Sequence, residues 1–265
     1  MTTTESKAAL VTGAAGGIGR ATAERLARNA WKVLAVDRDA GKLAWAEAAG
    51  VASLVADVTS ETENQRMVAE TEARFGRLDA AVLNAGITGG GGIEQISFEA
   101  FQNVIAVNLF GAVLGVRAAL PALRRQGGGA IVVTSSTMGI AADAGNSAYA
   151  ASKHALIGLV RSLAREVGWE GIRVNALCPG PTETDMTLPV KDVAPAHYDV
   201  LRRAVPLQRW AQADEMASVI EFLISPAASY VNGHAMVVDG GAVVGTGLVA
   251  PNAGAVPGVP DEINH

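Results

Sequence analysis

The stretch Ala8-Ala9-Leu10-Val11-Thr12-Gly13-Ala14-Ala15-Gly16-Gly17-Ile18-Gly19 sets the reading of the whole chain. Ala8 to Thr12 is a short apolar run that suits a strand. It breaks into a glycine-rich turn, and a helical pattern starts at once, with Ile18, Thr22, Leu26 and Ala30 spaced four apart. Strand, glycine turn and helix in that order give a glycine motif physical meaning. Gly13 can take the tight turn. Gly17 and Gly19 carry no side chain to block a pyrophosphate or the helix behind it. The helix N-terminus then offers an anion its free N–H groups and its positive dipole end. The spacing is G-x-x-x-G-x-G rather than the commoner G-x-G-x-x-G.

Lys32 to Asp37 reads as the second strand, and it ends in an acid 24 residues after Gly13 and 18 after Gly19. An acid at that place accepts the hydroxyls of an adenosine ribose. It would repel a 2′-phosphate, so Asp37 favours NAD over NADP. Arg38 is the competing group, because an arginine can hold that phosphate, whereas Gly16 stands where a second basic residue would help. Asp37 could also cap a helix starting near Asp39.

The same alternation continues down the chain. Ser53 to Ala56 is a third strand, followed by Asp57-Val58, placed near an adenine. A helix over Glu61 to Phe75 leads to a strand over Ala80 to Asn84, ending Leu83-Asn84-Ala85-Gly86. The four glycines Gly89 to Gly92 read as a surface loop rather than the border of a site. A helix from Ser97 to Leu114 carries Asn108, either a satisfied buried amide or part of a water-holding relay. Pro121 and Gly127 to Gly129 bound the next connection. Ala130 to Ser135 is an apolar strand, as one covered on both faces should be. A hydroxyl follows it, from Ser135, Ser136 or Thr137.

Ile172 to Cys178 is the sixth strand, stopped by Pro179-Gly180-Pro181. Thr182 and Thr184 then have hydroxyls free to reach an amide or a phosphate. Met186 to Pro206 has no clean period and reads as a mobile segment. A helix over Gln212 to Ile224 and a strand over Ala235 to Val238 complete the pattern. Alternating strands and helices imply one parallel sheet with helices on both faces. Ligands of such sheets bind beyond the carboxyl ends of the strands. Gly13, Asp37, Asp57, Asn84, Ser136 and Pro179 all stand at or just after those ends.

One further pair fits this edge. In Tyr149-Ala150-Ala151-Ser152-Lys153 the tyrosine and lysine are four apart on a helix capped by Asn146 or Ser147, so they share a face. Gly168 closes that helix. A free tyrosine, with a pKa of about 10, is a poor acid or base near neutrality. A nearby lysine cation favours the phenolate and draws that pKa down. Such a phenol can hand a proton to a carbonyl or take one from an alcohol.

Composition narrows the function classes. The 265 residues are 49% hydrophobic and 18% charged, enough for a buried core and against disorder in the body of the chain. Net charge is −5 with no basic cluster, which disfavours nucleic acid as a partner. The lone Cys178 allows no internal disulfide. The start lacks the apolar core of a signal peptide, and no uninterrupted apolar run approaches a membrane span. The expectation is a soluble cytoplasmic protein. His154, His197, His234 and His265 are scattered without metal-ligand spacing, so no metal is expected.

Taken together, Thr12-Gly13-x-x-x-Gly17-Ile18-Gly19, Asp57, Asn84-Ala85-Gly86, Asn108, Ser136, Tyr149-x-x-x-Lys153, Pro179-Gly180 and Asp239-Gly240 resemble the short-chain dehydrogenase/reductase family over about residues 7 to 245. The resemblance implies a single-domain Rossmann-like α/β fold, a doubly wound parallel sheet of seven strands in the order 3-2-1-4-5-6-7. It implies that Tyr149 is the acid/base and that Lys153 lowers its pKa and binds the nicotinamide ribose. Ser136 holds the substrate oxygen, selected over Ser135 by its 13-residue separation from Tyr149, and Asn108 anchors a relay water. The implied cofactor set is Gly13, Gly17, Ile18, Gly19, Asp37, Arg38, Asp57, Val58, Asn84, Ala85, Gly86, Pro179, Gly180, Thr182 and Thr184, with Tyr149 and Lys153. Leu83 stands where the family more often has a second asparagine. A homotetramer is also implied.

The expected function is NAD(H)-dependent interconversion of a secondary alcohol and a ketone. The substrate segment spans about 181–210. Its candidate pocket residues, Ile93, Met138, Ala142, Asn146, Met186, Leu188 and Trp210, are mostly apolar and suit a neutral substrate. Two alternatives stand beside this. One is a 3-oxoacyl-thioester reductase acting on a carrier protein, for which Arg124 and Arg125 are a thin docking patch. The other is a non-catalytic NAD-binding regulator. The Gly/Pro-rich tail over 246–265, with Leu248, Val249, Val256, Val259 and Ile263, is expected to dock, most plausibly on a neighbouring subunit near its substrate cleft.

Overall fold

A computed structural model of the chain describes residues 6–245. The tail over 246–265, and with it the expected docking, lies outside the described residues. In chain order the strands are β1 (Ala8–Thr12), β2 (Lys32–Asp37), β3 (Ala52–Val55), β4 (Ala80–Leu83), β5 (Gly129–Thr134), β6 (Ile172–Pro179), β7 (Thr182–Glu183), β8 (Ala211–Gln212) and β9 (Ala235–Val238). Seven of them form one parallel sheet in the order β3-β2-β1-β4-β5-β6-β9. This is the expected order. The last strand counts as ninth only because β7 and β8 form a separate two-stranded pair, which the sequence reading did not foresee.

The helices are α1 (Gly17–Arg28), α2 (Ala40–Leu43), α3 (Trp45–Ala48), α4 (Glu61–Phe75), α5 (Phe98–Ile105), α6 (Gly111–Gln126), α7 (Ser147–Val167), α8 (Leu188–Val193), α9 (Pro195–Ala204) and α10 (Ala213–Ile224). Alternate residues of each strand feed opposite faces of the sheet. Leu10 of β1 packs with Met67 of α4, Val116 of α6 and Leu156 of α7. Its neighbours Ala9 and Val11 pack with Leu26 of α1 and Ile220 of α10. Every residue of β1 and β4 is buried, as a strand covered on both faces requires.

Three expectations change. Pro121 lies inside α6 and does not end it; the helix runs on to Gly127, which caps it in the left-handed conformation at φ +82°. The buried face made by Val116, Ala119, Ala122 and Leu123 outweighs the donor that proline removes. A π turn over Ala106–Phe110 joins α5 to α6, so Phe98–Gln126 is one helix. By length and hydropathy it is the one helix among the described residues suited to crossing a membrane, yet its inner face lies in the core. Second, the segment read as mobile forms α8 and α9. Third, Asp39 rather than Asp37 caps α2, accepting from Lys42 N–H at 3.0 Å.

Candidate active site

The carboxyl edge of the sheet holds the glycine turn. Gly13 has φ +67°, and a Cβ there would stand 2.8 Å from Ala85 Cα. A Cβ on Gly19 would collide with the Gly13 carbonyl. The first turn of α1 carries no acid and its N-cap, Gly16, makes no side-chain bond. No side chain of the helix's own first turn competes with an anion for its free N–H groups. Asp37 turns toward the same place: its carboxylate accepts from Ala15 N–H and Asp39 N–H, both at 3.1 Å. Arg38 beside it is exposed. The Asp57 carboxylate accepts the amide and hydroxyl of Thr59, each at 2.8 Å, and so orders the turn into α4.

Thr12, which the sequence reading left unassigned, ties this edge together. Its hydroxyl accepts from the N–H groups of Asn84 at 3.0 Å and Ala85 at 3.2 Å. From the other side, Thr184 lies over Gly17 and the Asp185 carboxylate over Gly16. Any side chain at position 16 would have to displace Asp185. Thr182 differs from expectation: it is buried, and its hydroxyl donates to Gly180 O at 2.9 Å, so it is not free for a ligand. Thr184 pairs its hydroxyl with that of Thr187 at 3.1 Å. Gly180 packs on Asp239 so closely that a Cβ would come within 2.6 Å of the Asp239 side chain.

Tyr149 and Lys153 stand on the first turns of α7, following Asn146 at its N-cap. Ser136 and Ser135 face opposite ways. Ser136 accepts from Met138 N–H at 3.1 Å and lies near enough to the Tyr149 phenol to lower its pKa. Ser135 points back and donates to the Lys153 carbonyl at 2.9 Å. Ser136 is thus the hydroxyl that meets the tyrosine. Lys153 is buried, its Nζ donates to Thr134 O at 2.8 Å, and it lies 5.4 Å from the centroid of the Tyr149 ring.

Burial sets the charges here. It brings the Lys153 ammonium down to about 8. It pushes the Tyr149 phenol above its ordinary value, and the nearby Ser136 hydroxyl offsets only part of that. In the chain by itself, then, the lysine does not draw the tyrosine down as the four-residue spacing suggested. The ammonium is bonded to a carbonyl beside the ring, and the cost of burying a phenolate outweighs its attraction.

The Asn108 side chain is a satisfied buried amide. Its Oδ1 accepts from Ile87 N–H at 2.8 Å, and its Nδ2 donates to Ile87 O and to Ser152 Oγ, both at 3.0 Å. Both amide protons are used, so its side chain has no donor left to hold a relay water. Gly86 separates Asn108 from Lys153: a Cβ there would lie 3.3 Å from Asn108 Oδ1 and 3.4 Å from Lys153 Nζ.

A family model described as enoyl-(acyl carrier protein) reductase matches residues 13–243. Levodione reductase from Leifsonia aquatica is 39% identical over 246 residues, covering 88% of this chain and 92% of the relative. The chain belongs to the short-chain dehydrogenase/reductase family. Another relative, 2-(R)-hydroxypropyl-CoM dehydrogenase from Xanthobacter autotrophicus, is 40% identical over 245 residues, covering 89% of this chain and 98% of the relative. The solved structure of levodione reductase matches with a TM-score of 0.85 at 37% identity, over 89% of this chain and 96% of that one. An actinorhodin polyketide ketoreductase solved with NADPH matches with a TM-score of 0.85 at 34% identity, over 91% and 99%. The chain is accordingly an oxidoreductase, of a family that uses nicotinamide cofactors.

In this short-chain dehydrogenase/reductase the glycine run lies at the surface, with Gly90 and Gly92 exposed, and Gly91 N–H donates to Gly145 O at 2.9 Å in the loop before α7. Ile93, Ala142, Met186 and Leu188 are exposed, and Met138 and Asn146 half-buried. Trp210 is a correction. It is only 5% exposed, stacks on Tyr198 with ring centroids 4.5 Å apart, and gives its indole N–H to Tyr198 O at 3.4 Å. It holds the substrate segment together instead of lining a pocket. Glu183 does the same from β7, accepting from Tyr198 Oη at 2.7 Å and Gln212 Nε2 at 2.8 Å.

Proposed function

We propose that this enzyme interconverts a secondary alcohol and a ketone with NAD(H), Tyr149 being the acid and base. The observation that carries the reading is the Lys153 ammonium 5.4 Å from the centroid of the Tyr149 ring, with Ser136 beside the phenol. The bound nicotinamide supplies the hydride acceptor or donor. In oxidation, Ser136 holds the substrate oxygen and Tyr149 takes its proton, while the carbinol hydride leaves. Lys153 stabilises the charge that develops on the phenol, and Asn108 keeps Ile87 and Ser152 in place around it. In reduction the tyrosine returns the proton to the carbonyl oxygen.

Asp37, turned toward the glycine turn, supports NAD as the preferred cofactor. Exposed Ile93, Met186 and Leu188 support an apolar, uncharged substrate. Exposed Phe98, Phe110, Trp169 and Tyr230 are consistent with a homotetramer, testable by light scattering. A screen of secondary alcohols and ketones with NAD(H) and NADP(H) tests the whole reading. Turnover with NAD at least about tenfold ahead of NADP in kcat/KM, some 1.4 kcal/mol of discrimination, is expected; a preference for NADP overturns the role given to Asp37. Lack of turnover with either cofactor would favour a regulator.

A relative named 3-oxoacyl-[acyl-carrier-protein] reductase from Thermotoga maritima, 38% identical over 248 residues, favours a second reading, reduction of 3-oxoacyl groups on a carrier protein. The docking patch weighs against it. Arg124 is paired with Glu170 and Arg125 with Glu72, so an acidic partner would have to compete with a carboxylate already at each guanidinium.

A further inference from the structure

Thr134, the last residue of β5, bonds to both halves of the site. Its carbonyl accepts from Lys153 Nζ at 2.8 Å, and its hydroxyl donates to Asn84 Oδ1 at 3.1 Å. The Asn84 amide has only one acceptable orientation. Its Nδ2 faces the carbonyls of Thr12 at 3.2 Å and Gly13 at 3.4 Å, where an oxygen would meet two acceptors. Oδ1 must therefore face Thr134, and the hydroxyl must donate. The same Nδ2 lies directly beneath the glycine turn: a Cβ on Gly13 would stand 3.0 Å from it and one on Gly19 2.7 Å.

From this placement we infer that Thr134 is a positioning residue for the dinucleotide, its hydroxyl locking the Asn84 amide under Gly13 and Gly19. The backbone that meets the pyrophosphate is thereby fixed by a side chain at the end of a strand two places away in the sheet from β1. The carbonyl of the same residue anchors Lys153, and that task does not need the side chain. The two tasks are separable by mutation. The inference rests on reading the glycine turn as the dinucleotide site.

The test is NADH binding by fluorescence titration, with kcat and its pH profile at saturating dinucleotide. Thr134→Val keeps the β-branched shape and removes the donor. It should raise the NADH Kd about tenfold, the scale of a buried acceptor left without its donor, and leave the pH profile of kcat in place. Thr134→Ser should bind like the wild type. Thr134→Cys, with a weaker donor of similar size, should be intermediate, and it serves should the valine variant not fold. Wild-type affinity in the valine or cysteine variant, or a serine variant as weak as valine, overturns the inference. So does a shifted kcat profile in Thr134→Val. A wild type that binds neither NADH nor NADPH overturns the proposed function and this inference together; binding by the wild type with indifferent variants overturns this inference alone.

Discussion

The carboxyl edge of the sheet and the substrate segment over 181–210 are built by different physics. At the sheet edge, buried side chains are bonded to backbone: Lys153 to Thr134, Asn108 to Ile87, and the Thr12 hydroxyl to Asn84 and Ala85. Each of those groups was desolvated to reach its place, so losing one partner leaves another buried and unmet. The substrate segment is held at its two ends by the β7–β8 pair, the Tyr198–Trp210 stack and the carboxylate of Glu183. Between those ends α9 places no buried residue in the core. On the proposed function, the first region would keep one chemistry fixed while the second changes what is admitted.

The sharpest way to break that contrast is at the serines. Ser136→Ala should lower kcat by about 10²- to 10³-fold, in the range of lost transition-state donors, whereas Ser135→Ala, which loses only a brace on Lys153, should lose far less. The reverse order in steady-state kinetics would move the role to Ser135. Asp37→Ala should next shift cofactor choice, weakening NAD and easing NADP by about tenfold in kcat/KM, or 1.4 kcal/mol.

On the other side of the comparison, Trp210→Ala should raise substrate KM by about three- to tenfold, near 1 kcal/mol, with dinucleotide Kd unchanged. Trp210→Phe, which can keep the stack, should stay close to wild type. Altered dinucleotide binding in Trp210→Ala would mean the regions are not independent.

The smallest effect is on stability. Lys153 titrates near 8 when folded against an ordinary 10.5. Between those values the unfolded chain holds more protons than the folded one, so the site's contribution to stability rises with pH there, and below about pH 8 its penalty is complete. Lys153→Met should flatten that rise in thermal melts. It should also raise Tm at pH 7 because no charge is then buried, but only by a few degrees, since the buried Thr134 carbonyl loses its donor and offsets most of the gain.

The same contrast explains what was legible in the sequence. Glycines at a strand–helix junction, an acid closing the next strand and a tyrosine four residues before a lysine are local patterns, and they placed the edge residues; the sheet order came from the family resemblance those patterns carry. The partners that hold them are not local. Thr134 reads as one more apolar-strand residue until Asn84 is seen opposite its hydroxyl, and Ser152 as filler within the tyrosine–lysine motif until it meets Asn108. Thr182 looked free because its bond to Gly180 is a matter of turn geometry. In the substrate segment, α9 buries no residue and so gives no core stripe to read, and Trp210 was assigned to a pocket because its partner, Tyr198, lies on another element.

The central claim is that Tyr149 governs hydride transfer from a carbinol carbon to NAD. The most direct measurement uses a secondary alcohol deuterated at that carbon, with NAD and enzyme, and mass analysis of the nicotinamide product. The wild type should yield reduced cofactor carrying the deuterium. Tyr149→Phe, with unchanged NAD binding and melting, should transfer label at least about 10²-fold more slowly, the range of a lost general acid/base. Reduced cofactor without label, or label transferred by the phenylalanine variant at more than about a tenth of the wild-type rate, a barrier change under 1.4 kcal/mol, would contradict it.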